Sequence, residues 1–232
     1  MLEIGPSPTE ARYARGLNKL DSARSESPIA TRLVRYDRTK RALDLILTSV
    51  AIVPVLPLMA VLGVLIRLDS EGPGIFQQER VGYQGRTFKI WKFRSMHLDS
   101  SDDHHRAAAA AWFAGDPAPH SYKASNDPRI TRMGRFLRRS SLDELPQLFN
   151  VLAGHMTLVG PRPAIPYELE MYEPWYFQRF EAKPGITGLW QVSGRDRTSA
   201  AEMMALDLRY LHERSLATDL KILIRTIPTV LR

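Results

Sequence analysis

Residues 45–66, LILTSVAIVPVLPLMAVLGVLI, make a run of 22 residues with no charge and two internal prolines. About 20 apolar residues, rising roughly 1.5 Å each, span a hydrocarbon core of about 30 Å. Basic residues bracket the run. Arg32, Arg35, Arg38, Lys40 and Arg41 precede it, and Arg67, Arg80, Arg86, Lys89, Lys92 and Arg94 follow. Lys and Arg beside a membrane segment favour the cytoplasmic side, so both flanks ask to stay there. Pro54 and Pro57 offer the means, since each removes a backbone donor and crowds the carbonyl one turn back. The expectation is a re-entrant helical hairpin, broken at Pro54 and Pro57, that dips into one leaflet and returns. A straight spanning helix and a buried core helix are the alternatives.

The chain has 232 residues, enough for one sizeable domain with appendages. It divides into a mobile cytosolic arm over 1–36, the re-entrant membrane helix over 37–67, and a membrane-associated cytosolic domain over 68–232. The arm shows no hydrophobic periodicity. The first 40 residues are polar and lack the apolar core of an export signal. Zero cysteines excludes disulfides, thiol catalysis and cysteine-ligated metals. The net charge of +7 calls for a polyanionic partner. Because many of these charges flank the apolar run, lipid headgroups and phosphates rank ahead of nucleic acid.

Two strand-like runs, Ile75–Arg80 and Thr87–Phe93, enclose a turn with Gly82 and Gly85 and predict a β-hairpin. A polar excursion over 97–126 predicts a short helix and a loop. Asp127-Pro128 then opens a basic helix to about Arg139, and a third helix runs from near Asp143 to about Gly154. Another follows from about Tyr167 to Phe180. A Gly-rich stretch, Pro184 to Arg195, holds a short strand. Ser199–Glu213 and Leu216–Leu231 predict two closing helices. In the last, Leu220, Leu223, Ile224, Ile227, Val230 and Leu231 recur at helical spacing with Lys221 and Arg225 off that face. Core packing is the default explanation for such a stripe, and a helix lying on a membrane suits its basic polar face equally well. The fold class is α+β and helix-dominated, with the re-entrant hairpin, a small β-hairpin and amphipathic interfacial helices.

Chemistry concentrates at Arg138-Arg139-Ser140-Ser141-Leu142-Asp143-Glu144-Leu145-Pro146. Two adjacent carboxylates follow two arginines at a helix start. Ser141 with Glu144 three residues on also matches a capping box, although Pro146 would then sit where a backbone donor is needed. A helix N-terminus beside arginines is a prepared phosphate site. Gly160-Pro161-Arg162-Pro163 holds a guanidinium between two backbone-fixing prolines, as a phosphate ligand or as part of a rigid turn. Lys92 and Arg94 share one side of the second strand and are phosphate candidates too. The adjacent His104 and His105 carry little metal signal, and no Gly-rich nucleotide loop is present.

Five segments in order resemble the bacterial sugar transferase family, the monotopic phosphoglycosyl transferases. They are Lys40-Arg41-Ala42-Leu43-Asp44, the run from Phe88 to Met96, Ser141 to Gln147, Val159 to Pro163, and Lys183 to Arg195. The resemblance covers about Lys40 to the C-terminus and is nearest in kind to the short exopolysaccharide members. It implies transfer of a sugar phosphate from a UDP-sugar to undecaprenyl phosphate, with release of UMP, at the cytoplasmic face of the bacterial inner membrane. It further implies Asp143 as the nucleophile, through a phosphosugar–aspartyl intermediate, and Glu144 as the ligand of Mg²⁺. Arg138, Lys92, Arg94 and Arg162 become candidates for the diphosphate or lipid phosphate, with Asp207 in an additional polar role. Partners on this reading are the UDP-sugar, undecaprenyl phosphate and inner-membrane lipid, not nucleic acid; a homodimer and the identity of the sugar stay open. Leu56 stands where many members have a serine before the proline, which bears on the geometry of the kink. A non-catalytic basic membrane adaptor is the competing class.

Overall fold

The structure, a computed structural model, describes residues 28–98, 103–115, 127–194 and 198–230. Most of the expected arm (1–27), parts of the expected polar excursion (99–102 and 116–126), Arg195 and Leu231 lie outside them. The first element, α1, is a single α-helix over Pro28–Asp69. The helix therefore begins nine residues before residue 37, inside the expected arm. Pro54 and Pro57 lie inside this helix, so the two arms of the expected hairpin belong to one helical element, and prolines in that position kink a helix. Each proline costs one i→i−4 bond, and the turns on either side carry the helix through.

Its inward face is a stripe. Asp44, Thr48, Met59, Leu62 and Ile66 are buried, with Arg41, Ile52, Val55 and Asp69 half-buried between and beside them. These positions recur every three or four residues, so one side of α1 leans on the rest of the protein for most of its length. The remainder is bare. Ile46, Val50, Val53, Val61, Val64 and Leu68 are all exposed, an apolar surface beyond what a soluble domain usually shows water.

After Asp69 the chain turns back. Gly72 adopts a positive φ of 110°, and a Cβ on Gly74 would press on the Gly63 backbone. Strands β1 (Ile75–Val81) and β2 (Thr87–Phe93) pair antiparallel, with Gln78 opposite Ile90. Gln84 at φ 55° and Gly85 at φ 71° close the hairpin, so the glycine-marked turn is where the sequence puts it. Helix α2 spans Asp103–Phe113.

The basic helix α3 covers Arg132–Ser140 and starts later than Asp127-Pro128 suggests. Thr131 caps it, accepting from the Gly134 amide at 2.9 Å. Asp127 instead binds Arg129, whose guanidinium holds its carboxyl down to about 2. A Cβ on Gly134 would land on the Ser95 carbonyl, so α3 crosses the chain after β2 at backbone contact. A 3₁₀ turn, Leu142–Glu144, leads into α4 (Gln147–Leu152).

The parallel pair β3 (Thr157–Val159) and β4 (Gly185–Thr187) forms a second small sheet. Between them, the helix expected over 167–180 is two 3₁₀ stretches, Pro166–Met171 and Pro174–Glu181. Pro174 begins the second stretch, and extended backbone at Tyr172 and Glu173 separates the two; the residue before a proline is disfavoured in helical geometry. Helices α5 (Leu189–Ser193), α6 (Ala200–Glu213) and α7 (Leu216–Val230) close the chain. Ser199 and Glu202 form a reciprocal capping box on α6.

Two apolar clusters matter for the site. Met59, Leu62 and Ile66 of α1 pack with Phe93 and Leu137, and Val55, Leu142, Leu145 and Phe149 join them. Val159, Tyr210 and Ile222 anchor α6 and α7 onto β3.

Candidate active site

Asp143 and Glu144 lie in the 3₁₀ turn between α3 and α4 rather than in the first turn of an α-helix. Ser141 is the hinge. It takes the left-handed conformation at φ 56°, ψ 17°, ends α3, and makes no side-chain capping bond. The capping-box alternative is therefore not formed. Pro146 immediately precedes α4, where its missing N–H costs nothing. The turn points its two acids differently. Asp143 is buried, whereas Glu144 is half-buried and accepts from Lys92 Nζ at 3.0 Å. A groove of about 210 Å³ opens along Leu142, Glu144 and Leu145.

Register explains Lys92. It sits opposite Phe76 on β2, on the face that carries buried Ile90, and that face meets the Asp143–Glu144 turn. Asn150 fixes the approach: its Oδ1 accepts from the Trp91 amide at 2.9 Å and its Nδ2 donates to the Lys89 carbonyl at 2.8 Å. One side chain thus binds α4 to β2.

The other sequence candidates separate. Arg94 is buried and donates to carbonyls at the end of α1: Ser70 at 2.6 Å, Ile66 at 3.4 Å, and Glu71. Ile66 is in the last turn of α1, and Ser70 and Glu71 are the two residues that follow it, so Arg94 gathers the carbonyls where the chain leaves the helix. Arg138 is half-buried near the end of α3, within electrostatic reach of Asp127. Arg162 gives Nη1 to both oxygens of buried Glu168, at 3.0 and 3.2 Å. Asp207 is fully buried and paired with fully buried Arg179. Burial pushes its carboxyl up to about 6, against the pull of that guanidinium. Its expected polar role is thus internal, holding the loop at Arg162, whose amide it accepts at 3.4 Å.

Arg179 and Glu168 escaped the sequence reading. Arg179 also donates to the Arg162 carbonyl at 2.7 Å and to Tyr172 Oη at 2.7 Å. The available signal was a lone arginine among Tyr176, Phe177 and Phe180, a place where a charge needs a buried partner. Asp219 was missed too. It collects Lys40 Nζ at 2.8 Å, Tyr36 Oη at 2.8 Å and Tyr210 Oη at 2.7 Å. Arg41 reaches the Val151 and Leu152 carbonyls, and Asp44 accepts from Thr157 and the Leu158 amide. The Lys40-Arg41-Ala42-Leu43-Asp44 segment is therefore a latch between α1 and the α4–β3–α7 region.

Helix α7 divides its apolar stripe. Asp219 and Ile222 are buried, but Leu220, Ile224 and Ile227 are about 60 % exposed, at 59, 60 and 63 %. Leu223 of the same stripe packs half-buried against the Val159–Tyr210–Ile222 cluster, so the stripe is split between core and surface.

A family model described as bacterial sugar transferase matches residues 35–232. The chain belongs to the bacterial sugar transferase family. Family members similar to it include a UDP-galactose-lipid carrier transferase of Erwinia amylovora, 45 % identical over 193 residues that cover 83 % of this chain and 40 % of that protein. The exopolysaccharide production protein ExoY of Sinorhizobium fredii is 38 % identical over 197 residues, 83 % of this chain and 85 % of that one. A UDP-glucose:undecaprenyl-phosphate glucose-1-phosphate transferase of Caulobacter vibrioides is 40 % identical over 206 residues, 85 % and 72 % of the two chains. The chain spans about two fifths of the length of the first three curated relatives it matches, 40, 43 and 36 %.

Proposed function

We propose that the chain is a phosphoglycosyl transferase that moves a sugar 1-phosphate from a UDP-sugar to undecaprenyl phosphate and releases UMP. Relatives whose names specify galactose or glucose transfer to a lipid carrier support the substrate class. The observation that carries the reading is the Asp143–Glu144 pair: one carboxylate buried, the next facing a groove and held by Lys92.

In the first half-reaction an Asp143 oxygen attacks the phosphorus that bears the sugar, and the bond to UMP breaks. In the second, an oxygen of undecaprenyl phosphate attacks the same phosphorus. The aspartyl bond breaks, and the sugar leaves on the lipid diphosphate. A covalent step divides one displacement into two easier ones. Lys92 stands where it can trade Glu144 for a phosphate oxygen, because the pair is partly solvated.

Magnesium fits these residues. Among the described residues no group of three or more His, Cys, Asp or Glu side chains is arranged to hold a metal. Mg²⁺ is commonly held by one or two carboxylates, waters and the substrate's own phosphates. Glu144 would be the protein ligand, and the ion would neutralise charge on the transferring phosphate.

The cytoplasmic membrane face is part of the proposal. Helix α1 is the one described helix long and apolar enough to cross a bilayer. Yet its first half is latched to the domain through Lys40, Arg41 and Asp44, and its last turn through Arg94 and Asp69, which accepts from the Met133 amide at 2.9 Å. A charged domain tied to both ends of a helix keeps both ends on one side of the hydrocarbon. Re-entry, with the bare face of α1 and the stripe of α7 in lipid, satisfies that constraint; a straight crossing does not.

The deciding assay is UMP release in detergent with Mg²⁺ and undecaprenyl phosphate across a panel of UDP-sugars. Release with one donor, lost in Asp143→Asn, is the expected result. Silence across the panel from folded protein would favour the adaptor.

A further inference from the structure

The groove beside Glu144 is built for hydrocarbon. Leu142, Leu145 and Leu148 line one wall, and Ile186 and Val192, from β4 and α5, line the other. Four of its polar members, Thr187, Thr226, Gln191 and Ser140, are bonded within the protein. The Thr187 and Thr226 hydroxyls bond each other at 2.8 Å, and Thr226 also donates to the Ile222 carbonyl at 2.8 Å. Gln191 spends Nε2 on the Ile186 carbonyl at 3.2 Å. At the rim, Ser140 donates to the Phe136 carbonyl at 2.8 Å. A uracil or a sugar ring needs outward-facing partners, because a polar ligand stripped of water without them is bound at a loss. A branched hydrocarbon has no such requirement.

Position adds the second argument. Glu144 marks the reacting end. Thr226 belongs to α7, whose outer face presents exposed Leu220, Ile224 and Ile227. The groove therefore starts beside Glu144 and ends at the inner face of the helix whose outer face is apolar, a placement that suits a lipid-borne phosphate whose head must come to the acid pair while its tail stays out of water.

We propose that this groove seats the isoprene units nearest the phosphate of the polyprenyl phosphate acceptor. The inference rests on the function proposed above and deepens it: the acceptor is read by its branched chain, at a place separate from the donor's nucleotide. Straight acyl chains of bilayer lipids lack the branch methyl groups that fill the space between the leucine wall and Val192.

Two variants outside the acid pair test this, Val192→Phe to fill the groove and Leu148→Asn to make it polar. The burst of UMP released from the UDP-sugar without acceptor is read separately from turnover against acceptor concentration. Both variants should raise the acceptor KM about tenfold or more, with the burst and the donor KM unchanged. The rise should persist with geranyl phosphate, whose whole chain lies within the groove. An unchanged acceptor KM in folded variants overturns the proposal, and so does a burst that falls in step, which would hand the groove to the donor. Competition by dioleoyl phosphatidate that Val192→Phe relieves would overturn the isoprenoid assignment. Absence of a burst in the wild type would instead sink the reaction proposed above. The intact burst doubles as the check that each variant is folded.

Discussion

Two clusters in this molecule use the same ingredients, carboxylates and basic side chains, and put them to opposite ends. Lys92 and Glu144 meet at 3.0 Å with about a fifth of each side chain in solvent, 22 and 20 %. Arg179 and Asp207 meet with 1 and 0 % exposed, and Arg162 binds Glu168 beside them. A partly solvated pair can exchange a partner for a ligand at little cost. A sealed pair cannot, because either charge left alone in a low-dielectric interior is strongly disfavoured. The open pair is therefore equipped for chemistry. The sealed network is the frame that fixes Gly160-Pro161-Arg162-Pro163, with Asp207 on the Arg162 amide and Arg179 on its carbonyl.

Substitutions sharpen that contrast. The largest effect is expected at the open site: Asp143→Asn should lower turnover by at least about 10⁴-fold, as loss of a covalent nucleophile does, with the unfolding midpoint near that of the wild type. Next comes the frame. Arg179→Met strands Asp207 and should cost about 3–5 kcal/mol of stability, read by thermal unfolding in detergent. Back at the open site, Lys92→Met should change stability by no more than about 1 kcal/mol while lowering turnover about 10²-fold, the usual scale for one preorganised donor. Large instability in Lys92→Met would erase the distinction between the clusters.

The smallest effect is a pH dependence. The Asp207 carboxyl is raised by burial from 3.8 to about 6. The folded state then holds a proton that the unfolded state has released, so this group's contribution is full below about pH 4 and is lost as pH rises through about 6. Asp207→Asn should gain stability relative to the wild type over that interval. A wild type that instead gains on the variant would show the carboxylate to be stabilised in place.

The hairpin, the start of α6 near Ser199 and the presence of an acid pair were legible because their signals are local. Gly82 and Gly85 punctuate the turn, Ser199 and Glu202 are three residues apart, and Asp143 and Glu144 are adjacent. The sealed network was illegible for the complementary reason. Arg179 reaches Asp207 across 28 residues, and Lys40 reaches Asp219 across 179. Arg94 shows a subtler limit. Strand alternation put it on one side with Lys92, but only the fold reveals that the chain leaving α1 passes there and that its carbonyls take the guanidinium. Likewise the stripe on α7 was visible as a pattern, whereas its direction depended on Asp219 and Ile222 being the buried side.

The central claim is that Asp143 carries the phosphosugar between donor and acceptor. The most direct measurement is the intact mass of the protein after incubation with its UDP-sugar and Mg²⁺, without undecaprenyl phosphate, followed by peptide mapping. The account predicts a mass gain of one phosphosugar on the peptide containing Asp143, removed on adding the lipid phosphate. An adduct that persists in Asp143→Asn, or maps to another residue, would contradict it.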